Sequence, residues 1–246
     1  MNNKIGKQPI EEQKMNSLKK TARIAGVLIL SMILFAPFSM VYVPSTLIVP
    51  GDAATTANNI MASEGLFRLG IVGASVTFLL EIAIVVMLYV LLKPVSKTLS
   101  LVAAFFRLAM TIIQGINLLN HFNALLLLSG ADYLTVFKPD QLHALVLLFL
   151  NTHEYVSHIW GLFFGLHLFF LGYLVYKSGY IPRILGVLLV FSSLCYVVQS
   201  FGNFLLPKYE EIFALVGWVS IIEVALPLWL VIKGVKDQQP ATTEAG

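Results

Sequence analysis

Along the chain, a polar, lysine-rich stretch over residues 1–23 gives way to an unbroken apolar run from Ile24 to Val43. At ~1.5 Å of rise per residue such a run reaches across a hydrocarbon core of ~30 Å. It reads as a signal anchor and not a cleaved signal peptide, because it is long and no small-x-small site directly follows it. Residues 44–66 are a polar loop punctuated by Pro44, Pro50-Gly51 and Asn58-Asn59, with a short helix predicted over Ala53–Ser63 and capped by Asp52. Phe67–Leu92 is a second span stopped by Lys93-Pro94, and Val102–Leu128 a third, ended by Ser129-Gly130-Ala131-Asp132. Gln141–Tyr176 is apolar throughout and as one helix would run some 50 Å, too long for a single crossing. The expectation is therefore a re-entrant or interfacial segment over Gln141–Leu150, a break near Asn151, and a fourth span ending about Lys177. Pro182–Leu205 and Ile212–Ile232 complete the set, with Pro182 in a first turn where its missing N–H is harmless.

Six spans place both termini on one side, and the basic residues choose the side. Lys4, Lys7, Lys14, Lys19, Lys20, Arg23, Lys93, Lys97, Lys177, Arg183, Lys233 and Lys236 fall together, whereas only Arg68, Lys138 and Lys208 fall opposite. Cytoplasmic loops are enriched in Lys and Arg, so the expected topology is N-in and C-in, with an extra outer-face helix before the fourth span. Counting Gln141–Leu150 as a seventh span would spoil that asymmetry. The division that follows is a cytoplasmic tail over 1–23, a single six-helix transmembrane domain over 24–233, and a cytoplasmic tail over 234–246.

Composition agrees: 58% of the 246 residues are apolar and only 12% charged, well outside the soluble range. The net charge of +3 belongs to loop ends and forms no separate basic patch, so the lipid bilayer is the expected partner and nucleic acid is not. The lone Cys195 leaves no internal disulfide and no cysteine-based zinc site. Walker, dinucleotide-binding and G-x-S-x-G signatures are absent. The apolar runs are too uniform for a β-barrel, leaving an all-α polytopic bundle.

Several segments are shared with a known family. Leu47-Ile48-Val49-Pro50-Gly51-Asp52-Ala53-Ala54, Ser63-Glu64-Gly65-Leu66-Phe67-Arg68-Leu69-Gly70 and the YVLLKP stretch Tyr89–Pro94 are three of them. Phe163-Phe164-Gly165-Leu166-His167 and Ser178-Gly179-Tyr180-Ile181-Pro182-Arg183-Ile184-Leu185-Gly186 are two more. On these residues the chain, from about Lys19 to Lys236, resembles a bacterial integral-membrane family catalogued as domain of unknown function 4386. The resemblance implies a multi-pass protein of the bacterial cytoplasmic membrane and brings no activity, ligand or catalytic residues with it.

Candidate chemistry must come from polar groups at membrane depth, where they are costly. Arg107, Gln114 and His121 recur every seven residues with Asn117 between them, and Asn151, Glu154, His158, Gly161 and Gly165 follow at steps of three and four. His121 and His158 lie at similar depth, forming with Asn117, Glu154, Gln199 and Asn203 an expected outer layer. A second layer near the midplane holds Glu81, His167 and Glu223, with Glu81 paired to Arg107 or His167. Arg107 itself is expected to snorkel to the cytoplasmic interface, and His143 and His153 to be solvated.

Glu154 and His158 with His121 opposite make a conceivable divalent-metal set, and His121 with His158 or His167 a conceivable haem pair. His153 and His158, about 140° apart on a helix, cannot chelate one ion together. No cofactor is assigned. The amides and glycines can equally serve interhelical hydrogen bonding and close packing. Three function classes remain: binding or processing of a lipid-soluble small molecule in an outward-facing polar site, a proton or ion pathway through Glu81, His167 and Glu223, and a non-catalytic interaction subunit. The first is favoured because polar groups gather in the outer half.

Overall fold

The computed structural model describes residues 8–236, all helix and loop, with no strand among the described residues. Among the described residues, six helices are long and apolar enough to cross a membrane, from Met15–Leu47 to Pro207–Ile232. The chain is a multi-pass membrane protein, as the apolar runs predict.

The backbone departs from straight rods at specific residues. Helix α1 (Gln8–Pro37) begins inside the stretch expected to be a polar tail; residues 1–7 and 237–246 of the two expected tails lie outside the described residues. Beyond Pro37 comes a π-turn at Phe38–Tyr42, closed by the Val43 N–H donating to Phe38 O, and then α2 (Val43–Leu47). Prolines at 37 and 44 each remove a ladder donor, and the turn between them widens to i→i+5 bonding. Helix α3 (Ala53–Ala62) is capped by Asp52, as its sequence predicts: the Thr55 N–H and hydroxyl both donate to the carboxylate. Those bonds hold its pKa below the usual value.

Helix α4 (Glu64–Leu92) is the second span. The third is interrupted at Leu118: α5 (Lys97–Asn117) ends where Asn120 Nδ2 donates to both the carbonyl and the side-chain oxygen of Asn117, and α6 (Leu119–Leu127) continues beyond. A side chain competing for a backbone carbonyl is a recognised way for the helix ladder to be interrupted.

The fourth span corrects an expectation. Helix α7 (Pro139–Lys177) is one continuous helix of 39 residues with no break near Asn151, about 58 Å long at ~1.5 Å per residue. Asn151 is exposed, so its amide does not compete with the helix ladder. The extra length is held by protein: Val146 and Leu150 are buried in one apolar cluster with Ile60 of α3, Ala124 of α6 and Phe67 of α4. Helix α8 (Arg183–Leu205) is the fifth span. The sixth is interrupted, with α9 (Glu210–Val219) and α10 (Ala225–Ile232) separated by a tight 3₁₀ turn at Ser220–Val224.

Helix α7 is the central post, packed against α8, α5, α6 and α3. Its crossing with α8 brings backbones together: a Cβ on Gly172 would lie 2.7 Å from Gly186 O, and one on Gly186 2.6 Å from Gly172 O. Only glycine admits that approach, as in other small-residue membrane helix pairs. Where the α4–α5 and α7–α8 turns meet, the buried Tyr180 hydroxyl donates to Leu91 O at 2.6 Å, and the Lys236 N–H donates to Tyr180 O at 2.9 Å. Burial pushes the Tyr180 phenol well up.

Candidate functional site

The apolar interior divides into two clusters, one toward the chain termini around Leu88, Leu174 and Leu230 and one toward α3 around Phe67 and Val146. Between them lies a polar seam. On α5, Ala103, Arg107, Thr111 and Gln114 share the buried face at helical steps of three and four. On α4, Thr77 and Glu81 are buried at i, i+4, and on α7 His167 is buried.

Arg107 joins these helices. Its Nε donates to Glu81 Oε2 at 2.6 Å, with both side chains almost fully buried. Its Nη1 lies 3.1 Å from His167 Nε2, and His167 Nδ1 lies 2.8 Å from Ala103 O. A guanidinium only donates and a carbonyl only accepts, so the network fixes His167 with its proton on Nδ1 and its lone pair on Nε2. Phe164 stacks beside His167 and places its ring 5.7 Å from the Arg107 guanidinium carbon. The expected snorkelling of Arg107 is therefore corrected. Ten residues into α5 it sits about 15 Å along the helix, near the middle of a ~30 Å core and beyond reach of the interface.

Against this seam opens a cavity of about 250 Å³ lined by all six spans. Its walls are apolar side chains such as Met32, Phe78, Leu168, Leu189 and Leu226, and its polar points are Thr77, Glu81, Arg107, Thr111, Tyr196 and Glu223. Glu223 enters from the 3₁₀ turn of the sixth span. Tyr196 donates its hydroxyl to Glu223 Oε1 at 3.2 Å, whereas the buried Oε2 has no hydrogen-bond partner among the described residues. Trp160, Phe164 and Tyr196 form a continuous aromatic wall: Trp160 stacks on Phe164 at 5.3 Å, and Phe164 meets Tyr196 edge-on at 5.0 Å.

The outer layer does not form one chamber. Asn117 Nδ2 donates to Gln114 Oε1 at 2.8 Å and to His153 O at 2.9 Å, and the His153 ring donates from Nδ1 to Asn117 O at 3.2 Å. His121 packs on His153, centroids 4.1 Å apart, and edge-on to Phe67; its buried Nδ1 has no partner among the described residues. His158 turns instead to Asn203 at 3.2 Å, and Glu154 is exposed. The helical offset explains the split: residues five apart face roughly 140° apart, so α5 and α6 receive His153 while α8 receives His158. His153, expected to be solvated, is half-buried against His121.

No cluster of three or more His, Cys, Asp or Glu side chains suited to a metal ion occurs among the described residues. His167, engaged at both nitrogens, has no lone pair to offer haem iron. Of the sequence candidates, Glu81 and His167 share one network and Glu223 lines the same cavity as Glu81, whereas His121, Asn117, Glu154 and His158 lie apart from it. Trp160 and Tyr196 were not singled out from the sequence, because in an aromatic-rich membrane chain neither carries a distinguishing pattern.

Residues 24–234 match the model of a family described as Domain of unknown function (DUF4386). A protein of Archaeoglobus fulgidus, named only "Uncharacterized protein", is 31% identical over 176 residues, covering 70% of this chain and 88% of its own. No solved structure matches the chain.

Proposed function

We propose that this chain, which belongs to the DUF4386 family, binds a lipid-soluble small molecule in the midmembrane cavity bounded by its six spans. The observation that carries the reading is the cavity itself, about 250 Å³ in volume, with apolar walls and a few convergent polar groups. Concave, mostly apolar sites with sparse polar points are how small ligands are usually held, and intramembrane ionisable groups usually mark function. The Arg107–Glu81–His167 network forms the rigid back of this site and keeps its charges paired. The outer histidines serve packing between helices. A proton or ion file is less well supported, because the hydrogen-bond chain from Glu81 ends at the Ala103 carbonyl.

The orientation belongs to the same reading. Residues 24–233 form one transmembrane domain of a bacterial cytoplasmic-membrane protein, with the tails at 1–23 and 234–246 in the cytoplasm, supported by the lysine and arginine bias of the loops. A green fluorescent protein fused after Gly246 should fluoresce; a dark but full-length fusion would reverse the topology.

Mass spectrometry of solvent extracts tests the binding role. Wild-type protein purified in mild detergent should carry a discrete organic molecule that is depleted in Leu189→Trp, which fills the cavity. Identical extracts from both proteins would remove the support for a binding site.

A further inference from the structure

The polar groups lining the cavity are unequal in a way that bears on the ligand's chemistry, given that the cavity binds one as proposed above. Arg107 already has its charge matched by Glu81, and two of its five N–H donors are engaged, Nε by Glu81 and one on Nη1 by His167. Among the described residues no other Lys or Arg lines the cavity, so its charge-bearing lining comprises two carboxyl groups and one guanidinium, with the Tyr196 phenol beside them. Glu223 Oε1 takes one bond from Tyr196, and Oε2 is buried with no donor among the described residues. A buried acceptor left unmatched is costly, and most such groups in folded proteins are satisfied by something.

As a carboxylate, Glu223 offers Oε2 to a hydrogen-bond donor, and the surroundings favour a cationic one. Trp160, Phe164 and Tyr196 pack edge and face against one another in the wall of the cavity that Glu223 also lines, and Tyr196 contacts Glu223 directly. Aromatic faces near a carboxylate are a recurrent way of holding an ammonium group. An anionic amphiphile would instead bring like charge against Glu223, and a neutral alcohol would supply a donor without charge. The remaining walls suit a short alkyl body.

From these contacts we infer that the cavity's ligand is a lipophilic amine whose ammonium donates to Glu223 Oε2 and lies against the aromatic wall of Trp160, Phe164 and Tyr196. The Tyr196 hydroxyl holds the carboxyl in place through Oε1.

The test uses full-length protein in lipid nanodiscs and saturable binding of tritiated n-decylamine, with n-decanol and n-decanoate as competitors and Glu223→Gln as the variant. Decylamine should bind saturably and about tenfold or more tightly than decanol, since charge-assisted hydrogen bonds are roughly twice as strong as neutral ones. Decanoate should not compete. Glu223→Gln keeps the shape and removes the charge, so it should lose that preference while decanol binding stays nearly unchanged. Should the variant elute aggregated, the ranking of the three probes on wild type decides alone. Decanol matching decylamine, or folded Glu223→Gln retaining the preference, would overturn the amine assignment and leave the cavity intact. Absence of saturable binding by every probe would overturn the binding reading itself.

Discussion

Arg107 carries the interior of this protein. A guanidinium buried near the bilayer midplane is tolerable only because Glu81 sits 2.6 Å away and His167 accepts a second bond. Removing one partner strands the other: Arg107→Met should destabilise the protein by about 3–5 kcal/mol, read as a fall in Tm in detergent. The double variant Glu81→Gln with Arg107→Met should recover much of that loss, because replacing both charges together leaves neither unpaired. A double variant as unstable as the single would mean the pair acts through packing alone. The sequence exposes Glu81, His167 and Glu223 as candidates, since ionisable residues within apolar runs stand out by type. It misplaces Arg107, whose long side chain is equally suited to snorkelling, because the choice depends on a partner 26 positions away. It passes over Tyr196 and Trp160, whose roles arise only from what they face.

At the scale of elements, apolar run length reveals how many helices there are but not where they bend or how closely they approach. The single 39-residue α7 and the interruptions in the first, third and sixth spans all occur within runs that look uniform in hydropathy. The π-turn follows from Pro37 and Pro44, yet the interruption at Leu118 goes with one asparagine capturing another's carbonyl, and the turn at Ser220–Val224 carries no residue signal of its own. Close approach is equally hidden. Gly186 lies within the stretch that matches the family model, whereas its contact with Gly172 appears only when α7 and α8 cross. Gly172→Val should force these helices apart and cost about 3 kcal/mol, as overpacking does when backbone must move. Thermal melts of purified protein check this, and a Tm unchanged from wild type would contradict the crossing as described.

For the whole molecule, six apolar spans are legible in the chain because bilayer thickness sets a length that can be counted. The cavity is not legible, since its walls come from every span and no two neighbouring stretches of sequence announce it. That is why the expected binding layer, near His121 and His158, lies elsewhere than the cavity around Glu81, Arg107 and Glu223. The central claim is that this cavity holds a lipid-soluble molecule, and Trp160 in its wall is a built-in reporter. In a Trp218→Phe, Trp229→Phe background, the fluorescence of Trp160 alone would be titrated with a brominated alkane quencher in nanodiscs. Saturable quenching, abolished when Leu189→Phe narrows the cavity, is the expected result. Quenching that rises linearly without saturation, as for a lipid-facing tryptophan, would contradict the site.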